Sequence, residues 1–237
     1  MQLALRLAIV ALLSVCLPGA ASAHALWLEP DEGGARLFYG EFDENLREAS
    51  PGLLDRLATP QAKIAAADGA TLKVEKTAGS FLLSGPRGAK DSVIAEQVRV
   101  AERKQGDKVT RTLGRLAARY VPDLSERTAL LTLDVVPAGR PGAFKVFYKG
   151  QALAKAKLEL IAESGWKREF HTDAAGAVEA SLPWRGGYLI EVVHLDATAG
   201  TLGSEAYDSV RSVTTLSFRV TSGIEPLPTP PVTTPKR

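Results

Sequence analysis

The chain contains very little sulfur. It has one cysteine, Cys16, and one methionine, Met1, so residues 24–237 contain neither a thiol nor a thioether. A disulfide framework is therefore excluded for that part of the chain, and so is a thiolate or thioether metal site. Any metal site built from residues 24–237 must use nitrogen and oxygen ligands, which favours Cu(II), Ni(II), Co(II) or Zn(II) over Cu(I).

Long apolar runs and an excess of one charge are also missing. The apolar stretch from Leu7 to Leu17 is too short for a membrane span, and no later stretch approaches the about 18 apolar residues that a span needs. Lys and Arg number 29 and Asp and Glu number 27. This balance predicts neither a basic face for nucleic acid nor an acidic tail. We expect no nucleic-acid partner and no membrane-spanning segment.

Residues 1–23 have the pattern of a secretory signal peptide. A short basic start is followed by the apolar stretch, then by Pro18-Gly19, and then by the small residues Ala21-Ser22-Ala23 that suit a cleavage site. Cleavage after Ala23 would make His24 the first residue of an exported, periplasmic protein.

A histidine at the first position is an unusual metal ligand. Its free α-amine and its ring Nδ1 can bind one ion together, and nitrogen donors of this kind suit Cu(II), Ni(II) and Zn(II). The alternative is that His24 is simply the residue that follows the cleavage site. If His24 met a second imidazole, the result would be a copper-binding histidine brace.

Only two other histidines exist, His171 and His194. Period-two alternation places His194 at the end of the row Tyr188, Ile190 and Val192, which we expect to face the core. There it is either a ligand at the rim of a sheet or a partly buried histidine bonded to the backbone. His171 falls on a polar face before the turn 172–176, which favours a simple exposed histidine. The two would converge only if the strand directions permit.

Short strands at roughly ten-residue spacing, separated by turn residues, predict an all-β fold of antiparallel β-sandwich domains. We expect an N-terminal, mostly β domain over 24–127, a C-terminal sandwich over 128–222, and a disordered proline-rich tail over 223–237. Within the first domain, Asp68-Gly69 between two strand-like segments predicts a hairpin of 63–67 with 71–76.

Several C-terminal motifs resemble one type of sandwich. They are Lys149-Gly150-Gln151-Ala152-Leu153, Lys157-Leu158-Glu159-Leu160, Thr172-Asp173-Ala174-Ala175-Gly176 and Gly187-Tyr188. About 80 residues resemble the carboxypeptidase-regulatory or Cna-B type of module. The resemblance implies an Ig-like sandwich that acts as a scaffold or an interaction domain.

The opening Ala23-His24-Ala25-Leu26-Trp27-Leu28-Glu29-Pro30 resembles a second group. It is similar to a bacterial periplasmic family of uncharacterised domains that was formerly grouped with the NikM component of nickel and cobalt uptake systems. Phe38-Tyr39-Gly40-Glu41, Tyr207-Asp208 and Val213-Thr214-Thr215-Leu216 extend the resemblance. It implies a periplasmic role linked to metal, beside a membrane importer or receptor. This sequence has no counterpart of the membrane-spanning segment that true transport subunits contain.

Three functions follow as hypotheses. The leading one is a non-catalytic periplasmic protein that binds Ni, Co or Cu through His24, with His171 and His194 as further ligands, for metal uptake or homeostasis. The alternative is an envelope interaction module that binds no metal. A copper oxidase ranks last, since it needs an open copper position and an aromatic substrate face made from the three tryptophans.

Overall fold

The computed structural model describes residues 24–32 and 34–235, and the expected signal peptide lies outside them. The predicted all-β class is confirmed: this part of the chain contains strands, one 3-10 helix at Leu53–Arg56, and no α-helix. No helix within it is both long and apolar enough to cross a membrane. The strands are β1 (Ala25–Asp31), β2 (Gly34–Glu41), β3 (Leu46–Arg47), β4 (Gln61–Ile64), β5 (Lys73–Lys76), β6 (Phe81–Ser84), β7 (Val93–Gln105), β8 (Lys108–Tyr120), β9 (Leu133–Pro137), β10 (Ala143–Tyr148), β11 (Gln151–Ala152), β12 (Lys157–Ala162), β13 (Lys167–His171), β14 (Ala177–Glu179), β15 (Gly186–Asp196), β16 (Gly200–Leu202), β17 (Glu205–Tyr207) and β18 (Ser209–Val220).

A seven-stranded sheet forms the centre of the molecule, in the order β13-β12-β15-β18-β8-β7-β4. Its pairs are antiparallel except for β18 and β8, which run parallel, so the sheet is mixed rather than purely antiparallel. Strands from both predicted domains belong to it. The expected division at 127/128 therefore runs through one continuous sheet.

Two smaller layers cover opposite faces of the central sheet. The N-terminal layer consists of β1, β2, β3, β5 and β6, and it encloses a core with Val93, Ala95 and Ala118 of the central sheet. The C-terminal layer consists of β9, β10, β11 and β14, and its core includes Ile190 and Leu216. Alternate residues of a strand point to opposite faces, so the molecule consists of two sandwiches that share one sheet.

Two hydroxyl groups of β18 position β1 on the central sheet. Thr215 Oγ1 donates to the Leu26 carbonyl at 2.6 Å, and Ser217 Oγ donates to the Leu28 carbonyl at 2.6 Å. All four residues are buried, where an unmatched carbonyl is unfavourable. These bonds fix where β1 lies along β18. They therefore also fix the position of His24, which immediately precedes β1.

A buried ion pair joins the central sheet to the C-terminal layer. Arg119 of β8 and Asp134 of β9 are both fully buried, with the Arg119 Nε donating to Asp134 at 3.0 Å. The backbone N–H groups of Leu130 and Leu131 also donate to this carboxylate, at 2.7 and 3.1 Å. The Asp134 carboxylate thus holds the segment that connects β8 to β9.

The predicted hairpin between residues 63–67 and 71–76 forms only beside its turn and does not extend along the two strands. β4 pairs with β7 in the central sheet, whereas β5 pairs with β6 in the N-terminal layer. The two segments meet only next to the turn, at an antiparallel bridge between Lys63 and Thr71. Two backbone hydrogen bonds flank this bridge, from the Ile64 N–H to the Ala70 carbonyl and from the Leu72 N–H to the Ala62 carbonyl, both at 2.9 Å. The turn at Asp68-Gly69 therefore carries the chain from one layer to the next.

The proline-rich tail also differs from the expected disorder over its described residues, which end at 235. It returns to the N-terminal layer, where Asn45 Nδ2 donates to the Pro230 carbonyl at 2.8 Å and the Arg47 N–H donates to the Thr233 carbonyl at 2.9 Å. Proline lacks an N–H group but keeps its carbonyl acceptor. The tail can therefore be bound by donors from elsewhere in the fold without packing a core of its own.

Candidate functional site around His24

The residues around His24 are brought together by the strands of the N-terminal layer. Ala25 of β1 lies opposite Gly40 of β2, which places His24 at the same end as Glu41. The chain then turns back through β3, and the Glu48 N–H donates to the Tyr39 carbonyl at 2.8 Å. Glu41 and Glu48, seven positions apart in sequence, thereby both reach His24.

The imidazole of His24 is held between these two carboxylates. Its Nε2 lies 2.6 Å from Glu48 Oε1, and its Nδ1 lies 3.4 Å from Glu41 Oε1. Glu48 is only 3% exposed, and the Tyr39 ring packs against the imidazole with centroids 5.2 Å apart. A buried carboxylate on one ring nitrogen fixes the ring orientation and leaves the other nitrogen facing Glu41.

A carboxylate on one nitrogen of a histidine ring is an arrangement that metal sites also use. Metal-binding histidines commonly donate their second ring N–H to a carboxylate, which orients the ring and makes the ligating nitrogen more basic. Here Glu48 would orient the ring, while Nδ1 and Glu41 would be the ligands. The α-amine of a mature His24 would add a third donor.

Side chains alone do not complete such a site. Within residues 24–32 and 34–235, no group of three or more His, Cys, Asp or Glu side chains is arranged to hold a metal ion. The site around His24 therefore depends on the α-amine, which exists only if the chain is cut after Ala23.

His194 lies in a different environment. It occupies β15 and packs on the Tyr148 ring, with centroids 4.3 Å apart. The Tyr148 hydroxyl donates to Asp196 at 2.7 Å, and Lys149 Nζ donates to the same carboxylate at 2.8 Å. Burial lowers the pKa of His194, and the Lys149 hydrogen bond is the main reason that the pKa of Asp196 lies below its usual range. His194 is thus partly buried, and the hydrogen bonds of the described residues include none from its ring to the backbone.

His171 is exposed at the end of the edge strand β13, where its Nε2 lies 3.7 Å from Glu169 Oε1. The registers of β13, β12 and β15 place His171 in one cross-strand row with Lys157 and Val193. His194 is the next residue after Val193 and so points to the opposite face. His171 and His194 therefore cannot bind one ion, and neither is in contact with His24 among the contacts of the described residues.

The tryptophans do not form an exposed aromatic face. Trp27 is fully buried, and Trp166 packs edge-on against Trp184 with centroids 5.0 Å apart. The oxidase hypothesis needs an open copper position and an aromatic substrate face made from the three tryptophans. Because Trp27 is buried in a different cluster from Trp166 and Trp184, the three tryptophans do not share one face.

Neither Glu48 nor the pocket beside His24 was predicted from the sequence. A cavity of about 520 Å³ opens between the central sheet and the N-terminal layer, and His24 lies on its wall with Tyr39, Arg56, Arg99 and Arg211. These five residues come from five separate segments, and no local pattern links them. Burial raises the pKa of Tyr39, an effect that the nearby Arg99 opposes.

No known protein-family model matches the chain, and a search of curated proteins finds no relative. Membership of the family that the opening residues resemble remains a prediction.

Proposed function

We propose that this protein is an exported, periplasmic metal-binding protein whose cargo is a Ni(II), Co(II) or Cu(II) ion, with His24 as the anchoring residue. The ligands are the α-amine and Nδ1 of His24 together with the Glu41 carboxylate. Glu48 orients the ring from its other side. The observation that carries the proposal is the imidazole held between a buried and a partly exposed carboxylate, at 2.6 and 3.4 Å.

The chemistry of the donors supports a transition metal rather than a hard cation. Two nitrogens and one oxygen suit Cu(II) and Ni(II), whereas Ca²⁺ and Mg²⁺ prefer an all-oxygen shell. For such a set we expect affinity to rise from Co(II) through Ni(II) to Cu(II). With only three protein donors, the ion keeps open positions, which suits a protein that accepts and hands over its cargo. The resemblance of Ala23–Pro30 to the NikM-related family supports a role in metal uptake or homeostasis, with a membrane importer or receptor as the recipient.

The test is isothermal titration of Cu(II), Ni(II) and Co(II) into mature protein whose start at His24 has been verified by mass spectrometry. A matched form with one extra glycine before His24 keeps every side chain but moves the amine away from Nδ1. We expect one-to-one binding to the mature form and at least a tenfold loss in the extended form. His171→Asn serves as the control and should bind as the mature protein does. Absence of binding, or equal binding by the extended form, would overturn the proposal.

A further inference from the structure

The cavity beside His24 has a defined construction. Its floor is the central sheet, where Gln97 and Arg99 of β7, Gly114 of β8 and Arg211 of β18 all line it. The register explains this convergence, since Arg99 lies opposite Gly114 and Gly114 lies opposite Arg211. Residues opposite one another on neighbouring strands project from the same face of a sheet. The N-terminal layer and the 3-10 helix form the facing wall.

The charge of the cavity has one sign. Arg56, Arg99 and Arg211 line it, and no carboxylate is among its lining residues. All three arginines lie close enough to influence the Tyr39 hydroxyl electrostatically, and the Glu48 carboxylate behind the His24 ring acts on it in the opposite direction. None of them forms an ion pair within the part of the chain that the structure describes, although many other arginines do. Arg211 also lies close to Glu191, which lines the adjoining pocket. Guanidinium groups gathered in a concave site whose lining contains no carboxylate favour an anion, because their planar donors match carboxylate and phosphate oxygens.

A buried amide gives an independent indication of a ligand. Gln97 lines the cavity and is only 3% exposed, yet neither its Nε2 nor its Oε1 has a hydrogen-bond partner among the described residues. Buried polar groups are bonded in the great majority of cases, so an unmatched one needs an explanation. A ligand that enters the cavity and bonds to this amide provides it.

We infer that this cavity binds a small organic anion with two or more negative charges, a polycarboxylate or a phosphate ester. The volume of about 520 Å³ lies within the range of small-molecule sites and exceeds the needs of a simple inorganic ion. Leu53, Leu57 and Leu116 give the cavity an apolar wall for the carbon skeleton, while the three arginines meet the acidic groups. The inference does not depend on metal binding by His24, because it rests on residues outside the proposed metal ligands.

The test measures anion binding in the absence of metal. The mature protein is freed of metal on a chelating resin, since soluble polycarboxylate chelators would compete for the cavity. Citrate and glycerol 3-phosphate are then titrated calorimetrically at low salt, with glycerol as the neutral probe. We expect one-to-one binding of at least one of the anions, weakened by salt, and no binding of glycerol. Binding of citrate alone or of the phosphate ester alone supports the proposal and identifies the source of the negative charge. Failure of both to bind up to about 10 mM overturns it.

Matched variants locate the binding. Arg99→Gln should weaken it about 10- to 100-fold, in line with the loss of a charge-assisted hydrogen bond. Arg103→Gln removes the same charge further along β7, outside the cavity, and should change affinity less than about twofold. Gly114→Leu blocks the floor without removing charge, and an added Cβ there meets only the Arg99 carbonyl at 3.7 Å. It should abolish binding while the protein stays folded. Equal weakening by Arg99→Gln and Arg103→Gln would refute a localised site.

The glycine-extended form separates this proposal from the metal proposal. It should lose copper binding but keep anion binding, because its side chains are unchanged. Anion binding with no copper binding in any form would contradict the metal proposal alone. Copper binding with no anion binding would contradict the cavity proposal alone.

Discussion

Glu48 provides the sharpest test of the His24 site. Its carboxylate is 3% exposed, lies 2.6 Å from His24 Nε2, and has no other side-chain hydrogen bond among the described residues. Glu48→Gln keeps the shape and an acceptor oxygen but removes the negative charge that makes the imidazole a stronger ligand. Substitution of such an orienting partner lowers metal affinity about 10- to 100-fold in known sites. This corresponds to about 1.4 to 2.7 kcal/mol of binding free energy.

The measurement is a Cu(II) titration of mature Glu48→Gln beside the unaltered protein, with urea unfolding of the metal-free forms to show that both are folded. Glu44→Gln is the matched control, because it removes the same charge from an exposed position four residues earlier. We expect the control to bind within about twofold of the unaltered protein. Unchanged affinity in Glu48→Gln, or an equal loss in Glu44→Gln, would refute the argument that a buried carboxylate orients the ligand.

The remaining predictions concern stability. Asp134→Ala should lower the free energy of unfolding by about 3 to 5 kcal/mol, because it leaves the fully buried Arg119 without its counter-charge. Urea unfolding measures this loss, and a loss below about 1 kcal/mol would contradict the prediction. Burial, reinforced by Glu159 on the neighbouring strand, raises the pKa of Glu191 from its usual 4.5 to about 7. Between these two pKa values the folded state keeps a proton that the unfolded state releases. The free energy of unfolding should therefore fall by up to about 3 kcal/mol as the pH rises from about 4.5 past 7. Glu191→Gln should be stabilising at pH about 8 but near neutral at pH about 4.5, and a gain that does not change with pH would count against this cause. Gln97→Met should raise the free energy of unfolding by about 1 to 3 kcal/mol, since it removes a buried amide without a hydrogen-bond partner among the described residues. A lower unfolding midpoint in urea would show instead that this amide is hydrogen-bonded in the folded protein.

Local patterns predicted much of the fold. The alternation along β15 correctly placed Tyr188, Ile190 and Val192 in the core and His194 at the end of that row. The exposed position of His171 also followed from its polar neighbours. Each of these predictions depends only on the two-residue period of a strand, which the sequence displays directly.

The pairing partners of the strands were harder to predict from the sequence. The segments around Asp68-Gly69 have the pattern of a hairpin, but each pairs with a different strand in a different layer. The alternation shows which face of a strand is buried, but it does not show which strand lies beside it. The shared central sheet was missed for the same reason, because the parallel contact of β18 with β8 joins segments about a hundred residues apart.

The sequence by itself determined that residues 24–237 contain no sulfur ligand, that the fold is all-β, and that His24 follows a predicted cleavage site. The tertiary structure alone decided that Glu41 and Glu48 reach His24, that the three histidines lie in separate environments, and that Arg99 and Arg211 share a cavity with Gln97. The physical reason is the range of the interactions. Composition and alternation are properties of neighbouring residues, whereas a site is formed by side chains that meet only after long-range strand pairing has fixed the register and packed the layers.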